Sequence, residues 1–392
     1  MAKKLKAVIA GGGLGGMATA VALGMRGWDV TVYERQNALR AAGSGIYIWE
    51  NGLRVLEALG AYDAAVEGAF HGHYFEQRDN RGEIIESAPI PADKRLITVK
   101  RSQLLAALAE AARKHGVRVE TSMEVIGATP RGELLFANGQ RVRADLAIGV
   151  DGIWSRVRLS LGLEILHEQT VEGALRTVIP AQPGDIPEQD GGKYIENWNG
   201  KRRFLITPIN DDEIYLALTC PGNDEAARAT TVDKALWSAD FPAWRHLIER
   251  IGAEVSWGVY SVTKARTWSS GHAAILGDAA HAQPPNLGQG GGMAMQMGLA
   301  LSVALADVRD ARDIPAALEA WEAAERPLVE HCQKWSCLYG EVAFLPDEVR
   351  TRTIRAAMSD PWVSAQVFRA ANSLPTGTEH LLPWSERARV AV

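Results

Sequence analysis

The stretch from Leu5 to Met25 restricts what this chain can fold into more than any other part of it. An apolar run of strand type, Leu5 to Ala10, enters the turn Gly11-Gly12-Gly13-Leu14-Gly15-Gly16, and a helix pattern, Met17 to Met25, follows at once. Gly11 permits the tight turn, Gly13 lets the backbone approach a pyrophosphate, and Gly16 allows the helix to pack close to the strand. The helix start, with Leu14 beside it, offers free N–H groups and a partial positive charge. A second strand at 29–33 ends in Glu34, an acid placed to accept hydrogen bonds from ribose hydroxyls. The unit suits an adenine dinucleotide and by itself does not separate FAD from NAD. Arg35, after the acid, reads either as a 2′-phosphate contact or as an exposed arginine.

A second glycine signature lies far downstream. The buried-strand pattern at 273–276 delivers Gly277-Asp278-Ala279-Ala280-His281, followed by Pro284-Pro285-Asn286-Leu287-Gly288-Gln289-Gly290. Together the two signatures read as the two ends of one FAD site. Between them strands alternate with helices as far as Asp151-Gly152, which predicts an α/β fold with a doubly wound FAD-binding sheet drawn from residues 1–72, 96–170 and 264–312. Long alternating segments at 173–179, 201–207, 213–219 and 256–262 predict an inserted, mostly antiparallel substrate-binding sheet within 171–263, joined by residues 73–95. Residues 313–392 read as a helical C-terminal region. Gly43-Ser44-Gly45 suit close backbone approach to a flat ligand, and Arg101, ahead of a helix at 102–114 capped by Ser102, is placed to reach a phosphate.

Composition excludes several classes. A formal charge of −5 without a basic run argues against a nucleic-acid partner. No apolar run approaches the length of a membrane span, and the N-terminus enters its first strand without room for a signal peptide, so a cytoplasmic protein is expected. Cys220, Cys332 and Cys337 lack CxxC spacing and read as free thiols, and no metal site is expected. His281 reads as structural rather than catalytic. His71 and His73 are candidate bases or exposed loop-edge residues, and Trp49 and Trp198 are candidate walls of an aromatic pocket.

The ordered set Gly11 to Gly16, Glu34, Arg101, Asp151-Gly152 and Gly277-Asp278 resembles the single-component FAD-dependent aromatic hydroxylases, the para-hydroxybenzoate hydroxylase-like group. The resemblance implies non-covalent FAD, NADH or NADPH as a transient reductant, a small aromatic acid and dioxygen as substrates, oxygen activation at the flavin C4a carbon, and a monomer or small homo-oligomer. It further implies that Asp278 binds ribityl hydroxyls, that Asp151 touches FAD and the pyridine nucleotide, that Pro285 lies near the oxygen-reacting edge, and that backbone N–H groups from Gly288 to Gly290 meet the flavin pyrimidine. Many members read Gly-Gln-Gly-Ala-Asn with an acid further along the helix, where this chain has Gly291-Gly292 and Gln296-Met297.

The run Gly43 to Trp49 with Asn51 to Glu57 is similar to the hydroxypyridine-carboxylate branch of that group, which implies a hydroxypyridine carboxylate as substrate and hydroxylation coupled to ring opening. That likeness assigns Arg176, Arg203 and Tyr215 to the substrate pocket, with an aromatic position at either Tyr74 or Phe75; at Phe75 the hydroxyl would be missing. A ring carboxylate pairs best with a planar arginine fork, and Arg203 and Tyr215 share parity about a turn at Asp211, whereas Arg202 points the other way. The alternative for a strand arginine is the solvent face. A flavin reductase without oxygen insertion, or a non-catalytic flavin-binding protein, would share the FAD motifs.

Overall fold

The computed structural model describes residues 4–40, 44–253 and 255–387, so Gly43 lies outside the described residues. Its first layer is a six-stranded sheet in the order Ser269–Ser270, Ala273–Ile275, Leu146–Gly149, Lys6–Ala10, Asp29–Tyr33, Arg118–Glu120. All neighbours are parallel except the edge pair Ser269–Ser270 and Ala273–Ile275. Lys6–Ala10 has later strands on both sides, so the strand order reverses at its C-terminal end, where open α/β sheets bind ligands. The glycine turn sits at that point.

Helix Leu14–Met25 follows and is apolar on nearly all sides because it is covered on nearly all sides. It packs against helices Gly290–Ala304 and Arg101–Lys114 as well as the sheet. The crossing with Gly290–Ala304 is close: a Cβ on Gly298 would lie 2.3 Å from Thr19 Oγ1 and 3.0 Å from the Thr19 Cα. The two glycine signatures are thereby fixed against each other through their helices.

The second layer is a seven-stranded sheet in the order Ser256–Ala265, Glu164–Pro180, Glu213–Pro221, Arg202–Asn210, Lys193–Asn199, Tyr74–Asp79, Ile84–Pro89. Every neighbouring pair is antiparallel except Lys193–Asn199 with Tyr74–Asp79. Alternation sends Leu175, Ile195, Phe204, Ile206, Leu216 and Leu218 to the back, where they form a separate core with Trp237, Trp244 and Ile248 of the short helices behind. The front face is left for the ligand.

The structure departs from the sequence reading in three places. Strand Glu164–Pro180 starts before residue 171, and Ser256–Ala265 runs past 263, because the two pair along most of their length. Strand Lys193–Asn199 escaped notice because Glu196 and Asn197 are polar yet buried, which hides the alternation. Ser102 does not cap its helix. Strand Leu96–Lys100 runs straight into helix Arg101–Lys114, Lys100 holds the N-cap position without a side-chain bond, and Ser102 falls inside the first turn.

The C-terminal region comprises helices Ile314–Val342, Asp347–Ser359 and Pro361–Val367 and a tail held by a buried cation. Arg54 donates from Nη2 to the carbonyls of Thr378 and Leu381, both at 2.8 Å. Among the described residues, no helix is long and apolar enough to cross a membrane.

Candidate active site

Two cavities meet between the layers. The first runs along the C-terminal ends of the six-stranded sheet, past Gly13, Leu14, Gly45, Arg101, Gly152 and Asp278. Gly11 has φ +107°, and a Cβ there would lie 2.3 Å from the Val150 carbonyl oxygen, so only glycine fits. Gly16 is equally constrained: a Cβ would lie 2.0 Å from the Gly11 oxygen. At Gly13 a Cβ would meet nothing within 4 Å, which leaves the backbone open to the cleft, and no side chain caps the helix that follows. The free N–H groups of that helix start are the donors a pyrophosphate needs. Glu34 accepts from Gly12 N–H and Gln36 N–H, both at 2.9 Å, one bond on each oxygen, so lone pairs remain for further donors. Arg35 is exposed.

Further along the cleft, Arg101 opens its helix within electrostatic reach of Asp278. Asp278 is exposed to the cleft and enclosed by the protein around it; burial raises its pKa, and the charge of Arg101 pulls it back. The preceding Gly277 has φ +63°, and its N–H donates to Nε2 of buried His281 at 3.1 Å. Burial lowers the His281 pKa to about 4, so the ring is the neutral acceptor of this turn. The Asp151 carboxylate is used internally, accepting from Ser155 Oγ at 2.5 Å, Arg156 N–H at 2.8 Å and Val157 N–H at 3.1 Å. What faces the cleft there is Val150, Gly152 and Ile153.

At the far end Gly288 is left-handed, with φ +63° and a would-be Cβ 3.2 Å from Trp49 Nε1. Trp49 donates to the Leu287 carbonyl at 3.1 Å, and Gly290 opens the second helix with nothing near its Cβ position. Gln289, and Gln296 at one of the departures from the family pattern, are buried and share one donor: Asn51 Nδ2 bonds their Oε1 atoms at 3.0 and 3.2 Å. These glycines, open N–H groups and acids fit FAD laid from Gly13 to Gly290.

The second cavity lies against the front of the seven-stranded sheet. Cross-strand partners place Arg176, Ala217, Leu205, Glu196 and Gln77 in a single row across five strands. Tyr215 and Arg203 occupy the rows on either side, on the same face, as parity requires. Opposite stand Pro285, Leu287, Tyr47 and Trp49, and Met358, Val367, Phe368 and Ala371 of the C-terminal region close one end. Arg176, Tyr215, Tyr260 and Pro285 border both cavities. Burial disfavours the charge of Arg176, but the phenols of Tyr260 and Tyr215 hold its pKa above the ordinary arginine value. The Tyr215 ring covers Gly45, whose Cβ would lie 2.8 Å from it.

Arg203 is where the expectation and the structure part. It is 3% exposed and donates from Nη2 to both Glu172 oxygens at 3.1 and 3.0 Å and to Asn286 Oδ1 at 3.0 Å. Its Nη1 donates to Glu196 at 3.2 Å, and the guanidinium lies over Trp198. A fork already shared by two carboxylates is not free for a substrate carboxylate. Tyr74 is 45% exposed and faces away, whereas Phe75 lines the cavity, so the pocket lacks a hydroxyl at that position. Trp49 lines the cavity; Trp198 is buried between Arg203 and Arg350. His71 and His73 do not line either cavity. Glu172, Glu196, Tyr260 and Tyr339 went unnoticed in the sequence, and Asn286 entered only as part of the second glycine signature, with no role assigned.

Comparison with known proteins places this geometry. Residues 4–336 match the family described as FAD binding domain, and the chain belongs to it. It is an FAD-dependent monooxygenase of the aromatic hydroxylase kind. AqdB1 of Rhodococcus erythropolis is 39% identical over 95% of this chain and 97% of its own. The 2-heptyl-3-hydroxy-4(1H)-quinolone synthase of Mycobacteroides abscessus is 35% identical over 88% of this chain and 92% of its own. Among solved structures, the tetrameric form of 2-methyl-3-hydroxypyridine-5-carboxylic acid oxygenase is 32% identical, with a TM-score of 0.85 over 95% of this chain and 97% of that one.

Proposed function

We propose that the chain hydroxylates a neutral nitrogen heteroaromatic carrying an apolar chain, of the 2-alkyl-4(1H)-quinolone type, with NAD(P)H as reductant. One observation carries this reading. Of the two cations lining the substrate cavity among the described residues, Arg203 is bound by two carboxylates, and the end near Phe368 is built from apolar side chains. Such a site binds a carboxylate poorly and an alkyl chain well.

FAD supplies the activation of dioxygen; the residues supply orientation and a dry surround. Arg176, flanked by Tyr215 and Tyr260, is placed to hold a ring oxygen at the junction of the two cavities. Pro285 and Tyr47 narrow that junction, while Met358, Val367, Phe368 and Ala371 cover the chain and exclude water. Each buried methylene contributes about 0.8 kcal/mol, roughly fourfold in affinity.

A second reading is a hydroxypyridine carboxylate, favoured by the 32% identity to the pyridine-acid oxygenase and by Arg176 as a cation without a carboxylate partner. Titrating the FAD-loaded protein with 4(1H)-quinolones of increasing alkyl length, and with 2-methyl-3-hydroxypyridine-5-carboxylate, separates the two. Affinity and stimulated NAD(P)H oxidation rise with chain length under the first reading. Response to the acid alone, with no effect of chain length, supports the second.

A further inference from the structure

The row Arg176, Ala217, Leu205, Glu196 puts a cation and an anion at two ends of an apolar floor. Three strand spacings separate them, roughly 14 Å between backbones. Both side chains line the substrate cavity, and the Arg176 guanidinium lies over the Tyr260 ring beside Gly258, on the edge-strand side of the row. Arg176 has the phenols of Tyr260 and Tyr215 around it and, among the described residues, no carboxylate within salt-bridge distance. Glu196 is held on both oxygens: Oε1 accepts from Arg203 at 3.2 Å and Oε2 from the Tyr339 hydroxyl at 2.7 Å. Tyr339 in turn accepts a hydrogen bond from Gln77. Glu196 is lodged in the cavity wall, 8% exposed, with lone pairs left over after these two bonds. The charged and titratable groups facing it are Arg203, Glu172, Tyr339 and Tyr47.

Two carboxylates share the one guanidinium, so the cluster of Glu172, Arg203 and Glu196 carries either a surplus negative charge or a proton. Burial raises the pKa of Glu172, which favours that proton on its carboxyl, and Glu196 keeps its hydrogen bond from Arg203.

We infer that Glu196 is the acceptor of the substrate's ring N–H proton, working against Arg176, which holds the ring oxygen at the other end. This rests on the heteroaromatic reading above. As the ring carbon donates an electron pair to one oxygen atom from dioxygen, the C–O bond forms, the O–O bond breaks, the second oxygen ends as water at the expense of NAD(P)H, and positive charge develops at the ring nitrogen. The N–H bond then breaks, its electron pair stays on nitrogen, and the proton passes to a Glu196 oxygen. When the hydroxylated carbon loses its own hydrogen as a proton to solvent, balancing the proton that the departing oxygen takes up to become water, the ring regains its conjugation and the proton held by Glu196 returns to nitrogen. The oxidant is dioxygen, as the enzyme's class supplies. Arg203 and Tyr339 are positioning residues in this scheme.

The test compares wild type, Glu196→Gln and Glu196→Asp as FAD-loaded proteins, on a 2-alkyl-4(1H)-quinolone and its N-methyl analogue. Glu196→Gln leaves Arg203 paired one-to-one with Glu172, and FAD content with thermal melting checks the fold. On the N–H substrate Glu196→Gln should lose at least tenfold in kcat and release more hydrogen peroxide per NAD(P)H, with Glu196→Asp in between. The N-methyl analogue should be a poor substrate already in wild type and no worse in the variant. Independently of turnover, the ring nitrogen resonance of ¹⁵N-labelled bound substrate should shift toward its deprotonated position in wild type and not in Glu196→Gln. Equal losses on both substrates, an unchanged kcat and coupling, or an unchanged ¹⁵N shift each overturn the assignment. If wild type binds neither quinolone, the substrate reading fails first and this inference falls with it.

Discussion

Replacing Arg203 with Leu removes the guanidinium shared by Glu172 and Glu196 and leaves two buried carboxylates without their cation. Removing one member of a buried ion pair typically costs about 3–5 kcal/mol, because the charge left behind has neither water nor a counter-ion. For a chain of 392 residues, an unfolding entropy of about 2.1 cal/mol/K per residue gives roughly 0.8 kcal/mol per degree, so the melting temperature should fall by about 4–6 °C if the layers unfold together. The loss should be smaller in mild acid than in mild alkali. Glu172 already has a raised pKa, and protonating it relieves the repulsion. Adding Glu172→Gln to Arg203→Leu should recover part of the stability at neutral pH. Differential scanning calorimetry of the three proteins across pH measures all of this. An Arg203→Leu protein that melts within a degree of wild type, with a raised KM as its sole defect, would refute the argument and restore Arg203 as a substrate fork.

Three further outcomes follow from the cofactor side. His281 is neutral in the fold, so stability should be whole above the ordinary histidine pKa near 6.5, decline by up to about 3 kcal/mol as pH falls to about 4, and decline no further below; denaturant melts over that range, with His281→Gln as the flattened control, check it. Gly298→Ala places a methyl against the Thr19 backbone, which should cost about 1–3 kcal/mol and loosen FAD, read as faster release of flavin fluorescence on dilution. Asp278→Ala should weaken FAD retention by about 1.5–3 kcal/mol for each charged hydrogen bond lost, and an unchanged FAD dissociation constant in a folded protein removes Asp278 from the site.

What could be read in the sequence was local. The turn from Gly11 to Gly16 and the delivery of Gly277-Asp278 are short-range events whose constraints, a positive φ or a missing Cβ, act within a few residues. Parity alone also put Arg203 and Tyr215 on one face and sent Arg202 to the other, where it pairs with Asp224 and Asp240. The role of Arg203 was not legible, because its partners Glu172 and Glu196 come from two other strands and Asn286 from beyond the sheet. Choosing between Tyr74 and Phe75 needed the register of a parallel pairing with Lys193–Asn199, a strand concealed by its own buried polar residues. The wall from Met358 to Ala371 depends on how the C-terminal helices fold back, which no spacing within them records.

The central claim, that this flavin hydroxylase inserts oxygen into a neutral heteroaromatic with an apolar chain, is tested most directly by one turnover experiment under ¹⁸O₂. The FAD-loaded protein is given NAD(P)H and an equimolar mixture of 2-heptyl-4(1H)-quinolone and 2-methyl-3-hydroxypyridine-5-carboxylate, and products are read by mass spectrometry. The account predicts a quinolone product carrying one ¹⁸O atom, formed in step with NAD(P)H consumption, and an untouched pyridine acid. Labelled product from the acid with the quinolone unchanged, or hydrogen peroxide as the sole fate of the reducing equivalents, would contradict it.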